Sequence, residues 1–211
     1  MNLDRLVELA IQNRLEILAV VFGIVSVYLS TRENIWSWPT ALVNVALYFV
    51  VFFEVKLYAD MGLQVVYFAL SLYGWYQWLY GGEQRTELHV SRVTRSLAIR
   101  LALLGLTSAL VLGTILARFT DAALPYLDSL TTSTSLVAQW MMTRKIVENW
   151  AVWVAVDVVY IGMFIFKQLY LTAGLYTVFL VLAVMGFRKW KRSWVEREQE
   201  AGSRAPSASA A

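Results

Sequence analysis

Leu124-Pro-Tyr-Leu-Asp-Ser-Leu-Thr-Thr-Ser-Thr-Ser-Leu-Val-Ala-Gln-Trp-Met-Met142 is the stretch on which the fold turns. Its ends are apolar, but Asp128 and the run Thr131 to Ser135 dilute its middle. If it crosses a membrane the chain has seven spans; if not, six. The other apolar stretches, 15–31, 37–53, 61–80, 97–117, 149–166 and 169–187, are clearer, at ~20 residues per spanning helix. Of 211 residues 59% are hydrophobic and 16% charged, with a mean hydropathy of +0.56. A soluble domain carries about a quarter charged residues, so the composition points to an all-α integral membrane protein. The absence of cysteine excludes disulfides and thiolate chemistry, and a lone His89 excludes a histidine metal cluster. A net charge of +3 with no basic domain gives nucleic acid no docking surface.

The basic residues decide the count. With seven spans, one side of the membrane holds Arg32, Arg85, Arg92, Arg95, Arg100, Arg144, Lys145, Arg188, Lys189, Lys191, Arg192, Arg197 and Arg204. The other holds only Arg5, Arg14, Lys56, Arg118 and Lys167. An excess of this kind marks the cytoplasmic side. It predicts seven spans, the N-terminus outside and the C-terminus in the cytoplasm. Residues 1–14 read as an amphipathic surface segment, with a helix over 2–14, rather than a cleaved leader. Residues 81–96 read as a cytoplasmic loop, and 188–211 as a basic cytoplasmic tail, disordered over 201–211.

The chain also repeats itself at an offset of 112. Thr31-Arg32 falls on Thr143-Arg144, Trp38 on Trp150, Tyr48 on Tyr160, Phe52 on Phe164, Leu57 on Leu169, Gly62 on Gly174, Gly74 on Gly186 and Trp78 on Trp190. The halves are then 15–80 and 124–187, each of three helices, with 97–117 as a linker helix. One linker span gives the two triplets the same orientation: a three-plus-one-plus-three bundle of parallel repeats. Small transporters are built this way, with substrate held between the repeats. The repeat also requires the weak fifth span, since without it the two Thr-Arg turns would lie on opposite faces.

Polar groups inside the spans mark candidate chemistry. Asp157 is the only acid near mid-membrane, where a charge costs ~2.5–3.5 kcal/mol on insertion scales. Trp150, Trp153, Asp157 and Tyr160 share one helical face. An aromatic face ending in a carboxylate suits a flat, cationic, aromatic ligand. The alternative is an interfacial tryptophan and a hydrogen-bonded strut. Asn44 sits in the second helix and Gln139 in the fifth. Gln64, Tyr67 and Ser71 share a face of the third, with Gln77 beyond; Ser135 and Met142 join Gln139, and Thr172 pairs with Tyr176 on the seventh. Glu148 and Asn149 read equally well as solvated caps, and His89 as a loop residue.

Competing classes fail on inventory. A retinal-type receptor needs a mid-membrane lysine, and all five lysines lie at span ends. An intramembrane aspartyl protease needs two such acids. No metalloprotease, Ser-His or phosphate-loop motif is present. A seven-helix receptor remains the alternative of another class; a transporter, not an enzyme, fits best.

The strings Gln139-Trp-Met-Met-Thr-Arg-Lys-Ile-Val-Glu-Asn-Trp-Ala-Val-Trp153, Asn44-Val45, Leu57-Tyr-Ala59, Gln64-Val65 and Tyr73-Gly-Trp-Tyr-Gln-Trp78 resemble the PnuC nicotinamide riboside transporters over roughly residues 16–194. The resemblance implies a three-plus-one-plus-three fold in the bacterial inner membrane, related to that of the small SWEET sugar transporters. It implies facilitated diffusion of nicotinamide riboside, a cationic aromatic, with a cytoplasmic kinase trapping the product and no cofactor. Proton coupling through Asp157 is the variant reading. Trp150 and Trp153 match the family's tryptophan pair, Gln139 its fifth-helix region and Asn44 its second-helix asparagine. At 157 the family pattern has asparagine, and relatives carry thiamine, riboflavin or deoxynucleosides. Thiamine is therefore the leading alternative substrate. The expected site is Asn44, Gln64, Gln139, Trp150, Trp153, Asp157, Tyr160 and Tyr176. Surrounding lipid and, optionally, a second copy of the chain complete the expected partners.

Overall fold

The computed structural model describes residues 3–54, 56–120, 124–166 and 168–204. It contains seven α-helices: α1 (Leu3–Thr31), α2 (Ser37–Glu54), α3 (Tyr58–Tyr80), α4 (Arg95–Phe119), α5 (Pro125–Thr143), α6 (Asn149–Phe166) and α7 (Tyr170–Arg204). Local chemistry sets several of their starts. Pro125 opens α5 at a position where its missing N–H costs nothing. Thr94 caps α4 by accepting from Leu97 N, and Asn34 Oδ1 accepts from Trp36 N ahead of α2.

Five of the seven are long and apolar enough to cross a membrane: α1 from Arg14, α2, α4, α6 and α7 to Ala201. α5 falls short, as its hydroxyl run foretold. α3 also falls short, against expectation. Its Tyr, Trp and Gln side chains lower its hydropathy, and Gln64, Tyr67 and Ser71 turn toward an internal cavity. Elsewhere large apolar side chains such as Ile17, Leu103, Leu110, Val158 and Val181 lie exposed. An apolar surface of this extent fits contact with lipid.

Two ends differ from the sequence reading. α1 runs unbroken from Leu3, so the helix expected at 2–14 is continuous with the first span, which begins at Arg14, rather than separate from it. α7 has 35 residues, about 52 Å at 1.5 Å each, against a hydrocarbon core of about 30 Å. The basic tail from Arg188 is therefore helical through Arg204, including 201–204, where disorder was expected; 205–211 lie outside the described residues.

Six helices close a ring. α1 packs on α2, α2 on α3, α3 on α5, α5 on α6, α6 on α7, and α7 back on α1. α4 stands outside and packs on α5 through Gly105, Ala109 and Gly113, buried small residues one turn apart. Small residues let helix backbones approach in lipid. A Cβ at Gly113 would come within 2.6 Å of Tyr126 Cδ1.

Positions 112 apart adopt matching local structure. Glu33 and Lys145 both take positive φ (55° and 48°) after α1 and α5, as do Lys56 (62°) and Gln168 (59°) after α2 and α6. Tyr48 stacks on Phe52 at 5.5 Å, and Tyr160 on Phe164 at 5.8 Å. Trp78 Nε1 donates to Met142 O and Trp190 Nε1 to Ser30 O, each at 3.0 Å. Each indole thus ties its helix to the next one in the ring, α3 to α5 and α7 to α1, close to the turn that follows.

Candidate functional site

The ring encloses a cavity of about 440 Å³, within the range of small-molecule sites. One wall is the face of α6 that the sequence singled out. Helical periodicity carries Trp150, Trp153, Asp157 and Tyr160 to the same side, and all four line the cavity. Asn44 from α2, Gln64 from α3, Gln139 from α5 and Tyr176 from α7 complete the set. Every expected site residue therefore borders the same space. Tyr67, Ser71, Ser135, Met142 and Thr172 line it too. Gln77 does not: its Oε1 accepts from Arg144 Nη1 at 3.0 Å.

Asp157 is 3% exposed, and no lysine, arginine or histidine is among the lining residues. Its carboxylate has no ion pair among the described residues. A buried acid without a counter-charge is costly unless something supplies one. Asn44 is held from behind: Nδ2 donates to Ala19 O at 2.6 Å, which leaves the amide oxygen as acceptor. Gly23 makes this possible, since a Cβ there would lie 2.9 Å from Asn44 Nδ2. Tyr176 packs between Tyr160 (4.8 Å) and Phe164 (5.1 Å) and meets Phe179 edge-on. The cavity thus offers a carboxylate, amides and hydroxyls within an aromatic lining. It can hold a flat cation and bond to hydroxyls; among the described residues no acidic or histidine cluster could hold a metal.

One end of the cavity is closed by tryptophan. Trp38 meets Trp78 edge-on at 5.2 Å, Trp78 lies 5.8 Å from Trp190, and Trp190 meets Trp150 edge-on at 5.4 Å. All four are at most 2% exposed. Trp150 is thus no interfacial belt residue: it packs in this plug, against Gly186, where a Cβ would lie 2.5 Å from Trp150 Cε2. Glu148 and Asn149 are not solvated caps either. Asn149 is fully buried, and Glu148 accepts from Arg92 Nε (2.7 Å) and Val93 N (2.9 Å). His89 is exposed in the α3–α4 loop.

Sequence reasoning missed Trp38 and Tyr48 as lining residues. The signal was present, because they are the partners of Trp150 and Tyr160 at the offset of 112.

Known proteins resemble this chain over most of its length. A family model described as nicotinamide mononucleotide transporter matches residues 13–192. The chain belongs to this family. Among curated relatives, the nicotinamide riboside transporter PnuC of Escherichia coli (strain K12) is 29% identical, covering 90% of this chain and 89% of its own. The riboflavin/roseoflavin transporter RibM of Streptomyces davaonensis is 27% identical, with 81% of each chain covered. A crystal structure of the vitamin B3 transporter PnuC superimposes with a TM-score of 0.69 at 26% identity, over 91% of this chain and 90% of that one. The homologues and fold are those of membrane transporters rather than enzymes.

Proposed function

We propose that the protein carries nicotinamide riboside across the bacterial inner membrane by facilitated diffusion, with cytoplasmic phosphorylation trapping what enters. The observation that carries this reading is Asp157, an acid without a protein counter-charge in a cavity otherwise lined by aromatic, apolar and uncharged polar side chains. A pyridinium ligand supplies the missing positive charge, and an aromatic wall attracts it by ~0.5–2 kcal/mol. Trp153, Tyr160 and Tyr176 form that wall, Trp150 its floor, and Asn44, Gln64 and Gln139 the acceptors and donors for a sugar.

Architecture and orientation belong to the same proposal: two parallel triplets, α1–α3 and α5–α7, with α4 as linker. The matched turns, stacked pairs and reciprocal indole bonds at the offset of 112 support the triplets. The charge count supports a cytoplasmic tryptophan plug and C-terminus.

A second cationic aromatic, thiamine, is favoured by one departure: aspartate at 157, where the family resemblance implies asparagine. Riboflavin, the substrate in the name of one relative, is neutral and leaves Asp157 unpaired. A thermal-shift panel of nicotinamide riboside, thiamine and riboflavin on purified protein ranks them. A ligand at 100 times its dissociation constant stabilises by ~2.7 kcal/mol. Stabilisation by nicotinamide riboside ahead of both others supports the reading, and stabilisation by thiamine alone replaces it.

A further inference from the structure

The two turns behind the tryptophan plug are alike in backbone but not in how they are held. The α5–α6 turn, residues 144–148, is strapped by the loop that leaves α3. Ser91 N donates to Lys145 O at 3.0 Å and Val147 N to Ser91 O at 2.9 Å, the one bridge of its kind among the described residues. Val93 N and Arg92 Nε fasten the strap to Glu148, Leu88 N bonds Trp78 O, and Val90 is buried against the tryptophans.

The α1–α2 turn, residues 32–36, has no backbone hydrogen bond to a distant element among the described residues. Of the positions matching the strap residues 88–93, those among the described residues, 200–204, simply continue α7. Two side-chain links cross to this hairpin instead: Trp190 Nε1 to Ser30 O, and Lys145 Nζ to Glu33 at 3.7 Å. Lys145 is fully buried, sits 4.6 Å over the Trp78 ring and also reaches Glu87 at 3.3 Å. Glu33 and Lys145 are themselves the matched pair at the offset of 112, so each half supplies one charge of the bond that joins them.

The closed arrangement is locally unsatisfied. Ser37 Oγ and Trp38 Nε1 at the start of α2, and Asn149 Oδ1 and Trp150 Nε1 at the start of α6, are buried without a hydrogen-bond partner. Separation of the turns would hydrate these atoms, so the plug needs an external tie to stay shut.

We propose that Lys145 is a positioning residue of the transport cycle, acting through Trp78 and Glu33 to latch a one-sided gate. When the latch breaks, the α1–α2 turn swings away with Trp38, while the strapped α5–α6 turn keeps its place. The proposal rests on the chain being a transporter, but not on which substrate it carries or which face is cytoplasmic.

The chain has no cysteine, so single thiols report opening in purified, detergent-solubilised protein. Ser37→Cys and Asn149→Cys probe matched, buried positions on the two turns, and each is reacted with a maleimide. Labelling tracks the open population. The thiol at position 37 is expected to react several-fold faster than the thiol at position 149. Adding Glu33→Gln should raise the rate at position 37 about 2- to 5-fold, the shift expected from losing a partly exposed ion pair, and leave position 149 unchanged. Glu33→Asp, which keeps the charge, should stay near the parent rate. Ser91→Pro, which removes the strap's N–H, should instead release the thiol at position 149. Equal rates at the two thiols, or no response of position 37 to Glu33→Gln, overturns the one-sided gate. Failure of nicotinamide riboside to bind leaves these rates untouched, so the two readings fail separately.

Discussion

Replacing Asp157 by asparagine keeps the size and hydrogen-bonding capacity of the side chain but removes the one acidic residue lining the cavity. The consequence for a cationic ligand follows from electrostatics. At an effective dielectric constant of about 20, unit charges roughly 5 Å apart attract by about 3 kcal/mol. Ligand desolvation offsets part of this, so a net loss of ~1.5–3 kcal/mol is expected, the range of hydrogen bonds to charged groups. That is a roughly 10- to 150-fold rise in Kd at 1.4 kcal/mol per decade. Isothermal titration with nicotinamide riboside should show this loss, whereas the neutral dihydronicotinamide riboside should bind parent and variant almost alike. Equal weakening of both ligands, together with a lower melting temperature, would refute the counter-charge and leave Asp157 as a strut between helices.

Three further outcomes follow from the same geometry. Trp153→Ala removes part of the aromatic wall and should weaken nicotinamide riboside at least tenfold, from a desolvated cation–π contact of ~2 kcal/mol; titration checks this. Trp78→Phe and Trp190→Phe each remove one of the two hydrogen bonds that Met142 O or Ser30 O accepts, the other coming from Lys145 N or Glu33 N. Each lost bond should cost about 0.5–1.5 kcal/mol, read by chemical denaturation, with the larger penalty at Trp78, whose ring also carries Lys145. Finally, Ser91→Cys should react with an impermeant maleimide in inside-out vesicles and not from outside intact cells; external labelling would reverse the orientation.

Much of the fold was legible because membrane helices announce themselves by length and apolarity, and because the halves share aromatic and glycine landmarks. Gly74 and Gly186, and Trp38 and Trp150, matched in the sequence as landmarks of the repeat, and the structure sets each glycine beneath its tryptophan. The α6 face was legible because a helical period suffices to place Trp153 and Asp157 on one side. What escaped was tertiary. The shared face of Gln64, Tyr67 and Ser71 was legible from helical spacing, but not that α3 as a whole falls short of a clear apolar span. Likewise Trp150 looks like a belt residue by its place at a span end, and only packing against Trp190 puts it in a plug. Glu148 looked solvated because its partners, Arg92 and Val93, lie more than fifty residues away in sequence.

The central claim is that the protein lets nicotinamide riboside equilibrate across a membrane without an energy source. Uptake of labelled nicotinamide riboside into sealed liposomes holding the purified protein, with no membrane potential and no pH gradient, tests it most directly. The expected result is protein-dependent entry that stops when internal and external concentrations are equal, and continues past that point only when a nicotinamide riboside kinase and ATP are enclosed. Entry no faster than in protein-free liposomes, or accumulation driven by an imposed proton gradient with no kinase present, would contradict it.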